Sequence, residues 1–284
     1  MRVKISLFSV VSAVVLSMVA VATLYPFIYM ISVSLSSSVY VLRNEVSFYP
    51  RGINLDMYRM VLKDPRIWQS YMNTIIYTGL GTLISLVITS MGAYALAKKE
   101  MVFRKAFTLM IVFTMFFGGG MIPTFLVVKN LGLIDTVWGM VLPGAVSTWN
   151  LLVMRTFFSA MPVELEESGR LDGLTDFGIF MRIIIPLSKA VFATIGLFYA
   201  VAMWNNFYLP LLYLRDANLF PLQVVLRNMI MAGTEASNAG GENFIVDESL
   251  KYAVIMVATV PILIVYPFLQ KYFSKGVMIG AVKG

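Results

Sequence analysis

The stretch ELEESGRLDGLTDFGIFMRIIIP, residues 164–186, is polar and charge-rich in a chain that is otherwise strongly apolar. Pro162 suits the first turn of a helix, and acidic residues follow where the helix dipole favours them, at Glu164, Glu166 and Glu167. Gly173 can adopt the left-handed conformation that ends a helix. A helical spacing of apolar residues then resumes before Pro186, at Phe177, Phe180, Ile183 and Ile184. These features predict two short helices that meet at a glycine. They lie within residues 160–188, which we call the elbow.

The rest of the chain has the composition of a membrane protein. Of its 284 residues, 59% are hydrophobic and only 13% are charged, whereas a soluble domain carries about 25% charged residues. Six windows contain no Asp, Glu, Lys or Arg, and each is long enough for a spanning helix of about 20 residues. The chain is therefore predicted to be an all-α, polytopic membrane protein with a single transmembrane domain, residues 1–284. Its six spans are expected at about 5–35, 70–97, 106–128, 136–156, 188–214 and 252–271.

The N-terminus is interpreted as the start of the first span rather than as a cleaved signal peptide. Arg2 and Lys4 precede the apolar run, and Ala20–Ala22 resembles a signal-peptidase site. The run nevertheless continues well beyond the ~7–15 apolar residues of a signal peptide. With the N-terminus in the cytoplasm, just over half of the 22 Lys and Arg residues fall on the cytoplasmic side, including those of the short loop Lys98–Lys105. This bias predicts cytoplasmic N- and C-termini and a cytoplasmic elbow.

The residue types that the chain lacks exclude several functional classes. It has no Cys and no His, so it offers no disulfide, no thiolate metal site and none of the commonest general base. An intramembrane hydrolase or transferase would want His, Cys or paired carboxylates at membrane depth, and the six windows have none. The net charge of +7 fits membrane topology and lipid headgroups better than nucleic acid. We therefore predict no enzymatic activity, no catalytic residue, no metal site and no cofactor bound by this chain.

Active transport by this chain would need energy from another subunit. Proton-coupled carriers and voltage sensors keep charges at membrane depth, and the six windows hold none. The run Gly118–Gly120 lacks the Gly-Lys-Ser/Thr that completes a phosphate-binding loop. An elbow continuous with spans four and five would transmit a push from a docked protein. An ordinary solvated loop is the alternative, and these residues alone do not choose between the two. A self-sufficient secondary carrier or channel also stays open, although it would not explain the elbow.

The elbow resembles the EAA loop of the membrane subunits of ABC importers. That loop has the pattern Glu-Ala-Ala, then Gly, then Ile-x-Leu-Pro. Glu167 matches the Glu, and Ser168 and Gly169 stand for the two Ala. Gly173 matches the Gly, and Pro186 matches the Pro.

Further stretches resemble the carbohydrate branch of that family, the maltose-permease-like class. The form PxELEExxxxDG at residues 162–173 is close to this branch. AYALAKKEMVFRK, WNNFYLPLLYL and the terminal GAVKG agree with it in order and position, so the resemblance covers most of the chain. FFGGGMIPTFLVVKNLGL and LPGAVSTWNLLVMRTFF resemble the subgroup that imports complex or acidic oligosaccharides.

This resemblance implies the type I permease fold and the role of a permease subunit in an ATP-driven oligosaccharide importer. The chain would lie in the plasma membrane of a prokaryote, among membrane lipids, and would pair with a second homologous permease to form the translocation pathway. Two ATPase subunits would bind ATP and Mg²⁺, and an extracytoplasmic solute-binding protein would deliver the oligosaccharide. By family analogy, the residues that contact the ATPase are Glu164, Glu166, Glu167, Ser168, Gly169, Asp172 and Gly173.

Two further expectations concern the same partner. The C-terminal tail would reach toward the ATPase interface through Gly280, Lys283 and Gly284, with a frayed terminus as the alternative. Gly169 in place of Ala lowers helix propensity by ~1 kcal/mol. Together with Ser168, it therefore predicts a softer first limb of the elbow than is usual in the family.

Candidate sugar contacts combine aromatic faces with amide and hydroxyl groups. Near the end of span five these are Trp204, Asn205, Asn206 and Tyr208. The alternative is a structural kink, in which the two amides satisfy backbone groups that Pro210 frees. Gly118–Gly120 with Pro123 predicts a bend or break in span three.

Overall fold

The structure is a computed structural model that describes residues 7–238, 249–261, 263, 264 and 267, with only the backbone described for residues 232–238. Its regular elements in these residues are all helical. In chain order they are α1 (Leu7–Ser34), α2 (Ser38–Leu42), α3 (Asp56–Lys63), α4 (Pro65–Ala97), α5 (Arg104–Phe116), α6 (Met121–Asn130), α7 (Val137–Val141), α8 (Thr148–Ser159), α9 (Glu164–Leu171), α10 (Asp176–Leu187), α11 (Lys189–Trp204), α12 (Tyr208–Tyr213), a 3₁₀ turn (Ala217–Leu219), α13 (Leu222–Asn238) and α14 (Ser249–Pro261).

The chain divides into two compact units, and the first comprises residues 1–68 and 225–264. Its helix α1 is apolar on all sides, as expected of a membrane span, and no residue of its most apolar window is buried. The end of α1 is anchored, because Tyr58 Oη of α3 donates a hydrogen bond of 2.8 Å to Ser34 Oγ. Val33, Val41 and Val46 form a small buried core against Tyr29 and Tyr252.

The second unit comprises residues 69–224 and 265–284, and its described part contains the elbow. The cytoplasmic-side prediction for the elbow places it next to the main core of this unit, which is built from α4, α8, α10 and α11. The buried members of that core are Ala93, Tyr94, Leu96, Leu151, Met154, Phe158, Ile179, Phe180, Ile184, Val191, Ile195 and Tyr199. Two limbs of the elbow and three apolar helices therefore share one packed interior, in which displacements are transmitted because interiors are close-packed.

Two helices are long and apolar enough to cross a membrane by themselves, α1 and α4. Two bent pairs pass the same test together: α5 with α6, at 113°, and α10 with α11, at 84°. In the described residues the structure thus offers two to four spans by length and composition. The all-α prediction is confirmed, and the count of six spans stays a prediction.

The break predicted in span three is confirmed. α5 ends at Phe116 and α6 begins at Met121, so the glycine run lies between them, and Gly120 has a φ of 82°. A positive φ is easily adopted only by glycine, and Pro123 lies in the first turn of α6, where its missing N–H costs nothing.

Spans four and five are also less regular than the sequence suggested. The predicted span 136–156 comprises two helices, α7 and α8, because Pro143 and Gly144 interrupt the helical hydrogen bonds between them. The predicted span 188–214 likewise comprises α11 and α12. The end of span six, 252–271, lies beyond the described residues, and its beginning is helical in α14.

Candidate functional site

The first limb of the elbow is α9, whose termination follows the sequence prediction. Gly173 has a φ of 76°, and it forms a Schellman motif with the helix end. The Leu174 N–H donates to Gly169 O at 2.9 Å, and the Gly173 N–H donates to Arg170 O at 3.0 Å. These bonds satisfy carbonyls that would otherwise lack partners, so the chain turns sharply and reproducibly at Gly173.

The second limb is α10, which Thr175 caps by accepting a hydrogen bond of 3.2 Å from the Gly178 N–H. Its middle turn, Phe180–Ile184, is π-helical. Pro186 explains this widening, since it has no N–H to donate and its ring disfavours regular helix in the preceding turn. The limb then meets α11 at the fully buried Ser188, at an angle of 84°.

Gly169 fixes the angle between the limbs. A Cβ atom added there would approach Ile179 Cγ1 and Ile183 Cδ1 to 2.9 Å each, and Ile179 is fully buried. Glycine thus allows α9 to lie directly against α10, and this close packing compensates for the lower helix propensity that the sequence indicated.

An ion-pair network ties the elbow to the end of α4. Lys98 Nζ donates to a Glu166 carboxylate oxygen on the first limb and, at 3.3 Å, to Asp176 on the second. Arg170 bridges Asp176, at 3.5 Å, to Glu100, at 3.2 Å. The side chains of Lys98 and Glu166 are only 14% and 24% exposed, so this pair lies in a partly desolvated position. One lysine therefore holds both limbs.

The electrostatic effects of the network agree with its geometry. Partial burial lowers the pKa of Lys98, while hydrogen bonds with Glu166 and Tyr94 raise it, and the net shift is upward. The hydrogen bond from Lys98 lowers the pKa of Asp176. Lys98 Nζ also lies 4.6 Å from the ring centroid of Tyr94, a cation–π contact. At neutral pH all three charged groups are ionised, and the network is fully formed.

The coupling residues named from the resemblance divide between two faces of α9. Glu164, Glu167, Ser168, Asp172 and Gly173 are exposed, whereas Glu166 and Gly169 face inward. The expectation that the first limb presents all its carboxylates to the solvent is therefore corrected for Glu166, because Lys98 holds it. Leu171, which the sequence analysis did not single out, is 90% exposed at the tip of the limb. Its signal is its position, 200° around the helix from the inward-facing Gly169.

The residues proposed for the substrate pathway lie where α11 and α12 separate. Asn205 Nδ2 donates to Val201 O at 2.9 Å, and Asn206 Oδ1 accepts from the Leu209 N–H at 3.2 Å. Both amides thus bind backbone, as the kink alternative expects. Trp204 Nε1 is buried without an acceptor among the described residues. Tyr208 Oη donates to the sulfur of Met121, the first residue of α6, so the two helix breaks adjoin.

Two other sequence expectations have limited structural content. Among the described residues, no group of three acidic side chains could hold a metal ion. The tail residues Gly280, Lys283 and Gly284 lie outside the described residues.

Residues 95–279 match the family described as "Binding-protein-dependent transport system inner membrane component". The chain belongs to this family. It is accordingly the permease subunit of a binding-protein-dependent transporter, an inner-membrane protein, and not an enzyme.

Individual relatives agree with this assignment. The permease is 41% identical over 273 residues to the "Polygalacturonan/rhamnogalacturonan transport system permease protein YtcP" of Bacillus subtilis, covering 95% of this chain and 96% of the relative. It is 43% identical to "Protein LplC" of the same organism, with 98% and 95% covered. Among solved structures it is similar to a chain of a bacterial ABC transporter "involved in the import of the acidic polysaccharide alginate", at 38% identity and a TM-score of 0.87, with 96% of this chain and 99% of that chain covered.

Proposed function

We propose that the permease is one half of the translocation pathway of an ATP-driven oligosaccharide importer and that its elbow is the contact for the ATPase subunits. The two faces of α9 carry this proposal. The outward face exposes carboxylates and Leu171, which suits docking, while the inward face is fixed to α4 and α10 by Lys98 and Gly169. A surface element that is free on one side and rigidly attached on the other is suited to transmit displacement.

The route of that displacement follows the contacts. A partner that moves α9 pulls Lys98 at the end of α4 through Glu166, and it moves α10 through the contact of Gly169 with Ile179. Since α10 continues into α11 through the buried Ser188, both spanning elements respond together. In this proposal ATP and Mg²⁺ bind on the ATPase subunits, and hydrolysis there supplies the energy. This chain binds no cofactor.

A second permease subunit is supported by the break between α5 and α6. The segment from Phe117 to Gly120 is exposed and not helical, although it lies within a predicted span. Lipid cannot satisfy the polar groups of irregular backbone, so such a segment must face protein or a water-filled cavity. A homologous permease packed there would provide both. The adjoining Trp204, Asn205, Asn206 and Tyr208 are then placed to line a path for a sugar.

The substrate class rests on the relatives. Two of those reported above carry names or titles with acidic polysaccharides, namely polygalacturonan/rhamnogalacturonan and alginate. We infer that this permease imports oligosaccharides of acidic polysaccharides, received from an extracytoplasmic binding protein. The elbow and both termini would face the cytoplasm of a prokaryote. The terminal Gly280, Lys283 and Gly284 would extend toward the ATPase subunits.

Charge reversal on the outward face of α9 tests this proposal. In the complex expressed with its partner subunits, Glu167→Lys should abolish co-purification of the ATPase and uptake of labelled oligogalacturonate, while membrane insertion is unchanged. Asp56→Lys, an equal charge reversal on the exposed α3, is the matched control and should keep both. ATPase binding that survives Glu167→Lys, or that is lost equally in the control, would contradict the assigned role.

A further inference from the structure

Two arginines from distant parts of the second unit converge on one backbone oxygen. Arg104, the first residue of α5, donates from Nε to Leu96 O at 2.8 Å, and Arg155 of α8 donates from Nε to the same oxygen at 3.3 Å. The two Nε atoms can be no farther apart than the sum of these distances. Two positive charges therefore lie side by side, both half-buried, at the end of α4.

Among the described residues, no carboxylate neutralises this pair. The acidic side chains nearest in sequence to the arginines or to the end of α4 are already engaged, since Glu166 and Asp176 bind Lys98, and Glu100 binds Arg170. One cation at a helix C-terminus is favourable, because it offsets the negative end of the dipole. A second half-buried cation on the same carbonyl adds repulsion, and only an anion relieves it. Helix capping alone thus does not explain the pair.

The loop before Arg104 indicates where that anion comes from. Val102 and Phe103 are 71% and 74% exposed, and Phe103 has a φ of 57°, which is uncommon for a bulky residue. Lys99 and Lys105 flank them and are also exposed. Apolar side chains between cations, at the end of a spanning helix, suit the boundary between acyl chains and headgroups.

We propose that Arg104 and Arg155 form a site for the phosphate of an anionic phospholipid, in the leaflet that adjoins the elbow. Guanidinium groups bind phosphate with paired hydrogen bonds, and each arginine keeps its terminal nitrogens for that purpose. Val102 and Phe103 contact the acyl region, and Lys99 and Lys105 add to the positive potential. The bound lipid neutralises the arginine pair and holds the ends of α4, α5 and α8 together.

Native mass spectrometry of the intact importer complex tests this site. The complex is released from bilayers of phosphatidylcholine mixed with equal phosphatidylglycerol, and lipids retained on the permease chain are counted. Arg104→Gln should weaken phosphatidylglycerol retention about fivefold, and the double variant with Arg155→Gln about thirtyfold. Lys129→Gln, which removes an exposed cation at the end of α6, is the matched control and should retain the lipid as the wild type does. Because lipid is counted on the permease itself, this readout does not depend on whether the ATPase subunits bind.

The remaining arms distinguish lipid from free phosphate and from a folding defect. Inorganic phosphate should not displace the retained lipid, and phosphatidylcholine should not be retained. In the wild-type complex, a photoactivatable phosphatidylglycerol should label peptides that contain residues 99–105 or 155, which keeps the test valid if the glutamine variants fail to assemble. Retention unchanged in the double variant, equal loss in Lys129→Gln, displacement by phosphate, or labelling confined to other peptides would each overturn the proposal.

Discussion

Replacing Lys98 with methionine removes the charge that holds both limbs of the elbow and keeps the apolar stem against Tyr94. The change leaves the Glu166 carboxylate, which is 24% exposed, without its cation. Breaking a buried ion pair costs about 3–5 kcal/mol, and an exposed pair contributes at most about 1 kcal/mol. The partial burial of this pair therefore places the loss at about 2 kcal/mol. The contribution of Asp176 is small, because its side chain is 67% exposed.

Amide hydrogen exchange of α9 measures this loss directly. In the complex held in nanodiscs, a loss of about 2 kcal/mol should accelerate exchange of the α9 amides roughly thirtyfold. Oligosaccharide transported per ATP hydrolysed should fall, because the ATPase then moves an elbow that has come loose from α4. The exposed neighbour Lys99, which forms no ion pair in the described part of the chain, provides the control Lys99→Met.

A second variant separates the ion pair from the lysine stem. Glu166→Gln should be milder than Lys98→Met, since Lys98 keeps Asp176 at 3.3 Å. Adding Glu166→Gln to Lys98→Met should slow α9 exchange relative to the single lysine variant, because the unpaired carboxylate is gone. Equal exchange in Lys98→Met and Lys99→Met would refute the reasoning that this network fixes the elbow.

Three further predictions follow from the same region. Gly173→Val should destabilise the turn by about 1–2 kcal/mol, because a β-branched residue must adopt a positive φ, and uncoupled ATPase activity in proteoliposomes would show it, with Gly173→Asn as a milder variant. Gly169→Ala should fail to gain the ~1 kcal/mol of helix propensity, since its Cβ meets the buried Ile179 at 2.9 Å; faster α9 exchange checks this, and slower exchange would contradict it. The lowered pKa of Asp176 means that its stabilisation is present above the ordinary value of 3.8 and lost as pH falls below it, and the raised pKa of Lys98 means that its stabilisation is lost only as pH rises through a value above 10.5; coupling should therefore show no step from this network between pH 6 and pH 9, approximate limits well inside both values, and a step that Lys98→Met removes would contradict this.

Much of the elbow was predictable from local sequence. The helix end at Gly173 and the second start after it follow from glycine geometry and apolar spacing, and the break at Gly118–Gly120 follows from the same rules. These features depend on residues within a few positions of one another, so a single sequence contains the necessary information.

The attachment of the elbow was not predictable in this way. Lys98 and Glu166 are 68 residues apart, and nothing in KKEM distinguishes the lysine that pairs from the one that does not. The need for glycine at position 169 arises from Ile179 on the other limb, so local propensity alone indicated softness where the structure shows close packing. Interruptions in spans four and five were likewise underestimated, because hydrophobicity reports burial and does not report helix continuity.

Thiol cross-linking tests the central claim most directly, because the chain has no cysteine of its own. Ser168→Cys places a single thiol on the exposed face of α9. The account predicts that this thiol cross-links to an ATPase subunit in the assembled complex and reacts with an impermeant reagent only in inside-out vesicles. Labelling in right-side-out vesicles, or a fully assembled and active complex in which this thiol never cross-links to the ATPase, would contradict it.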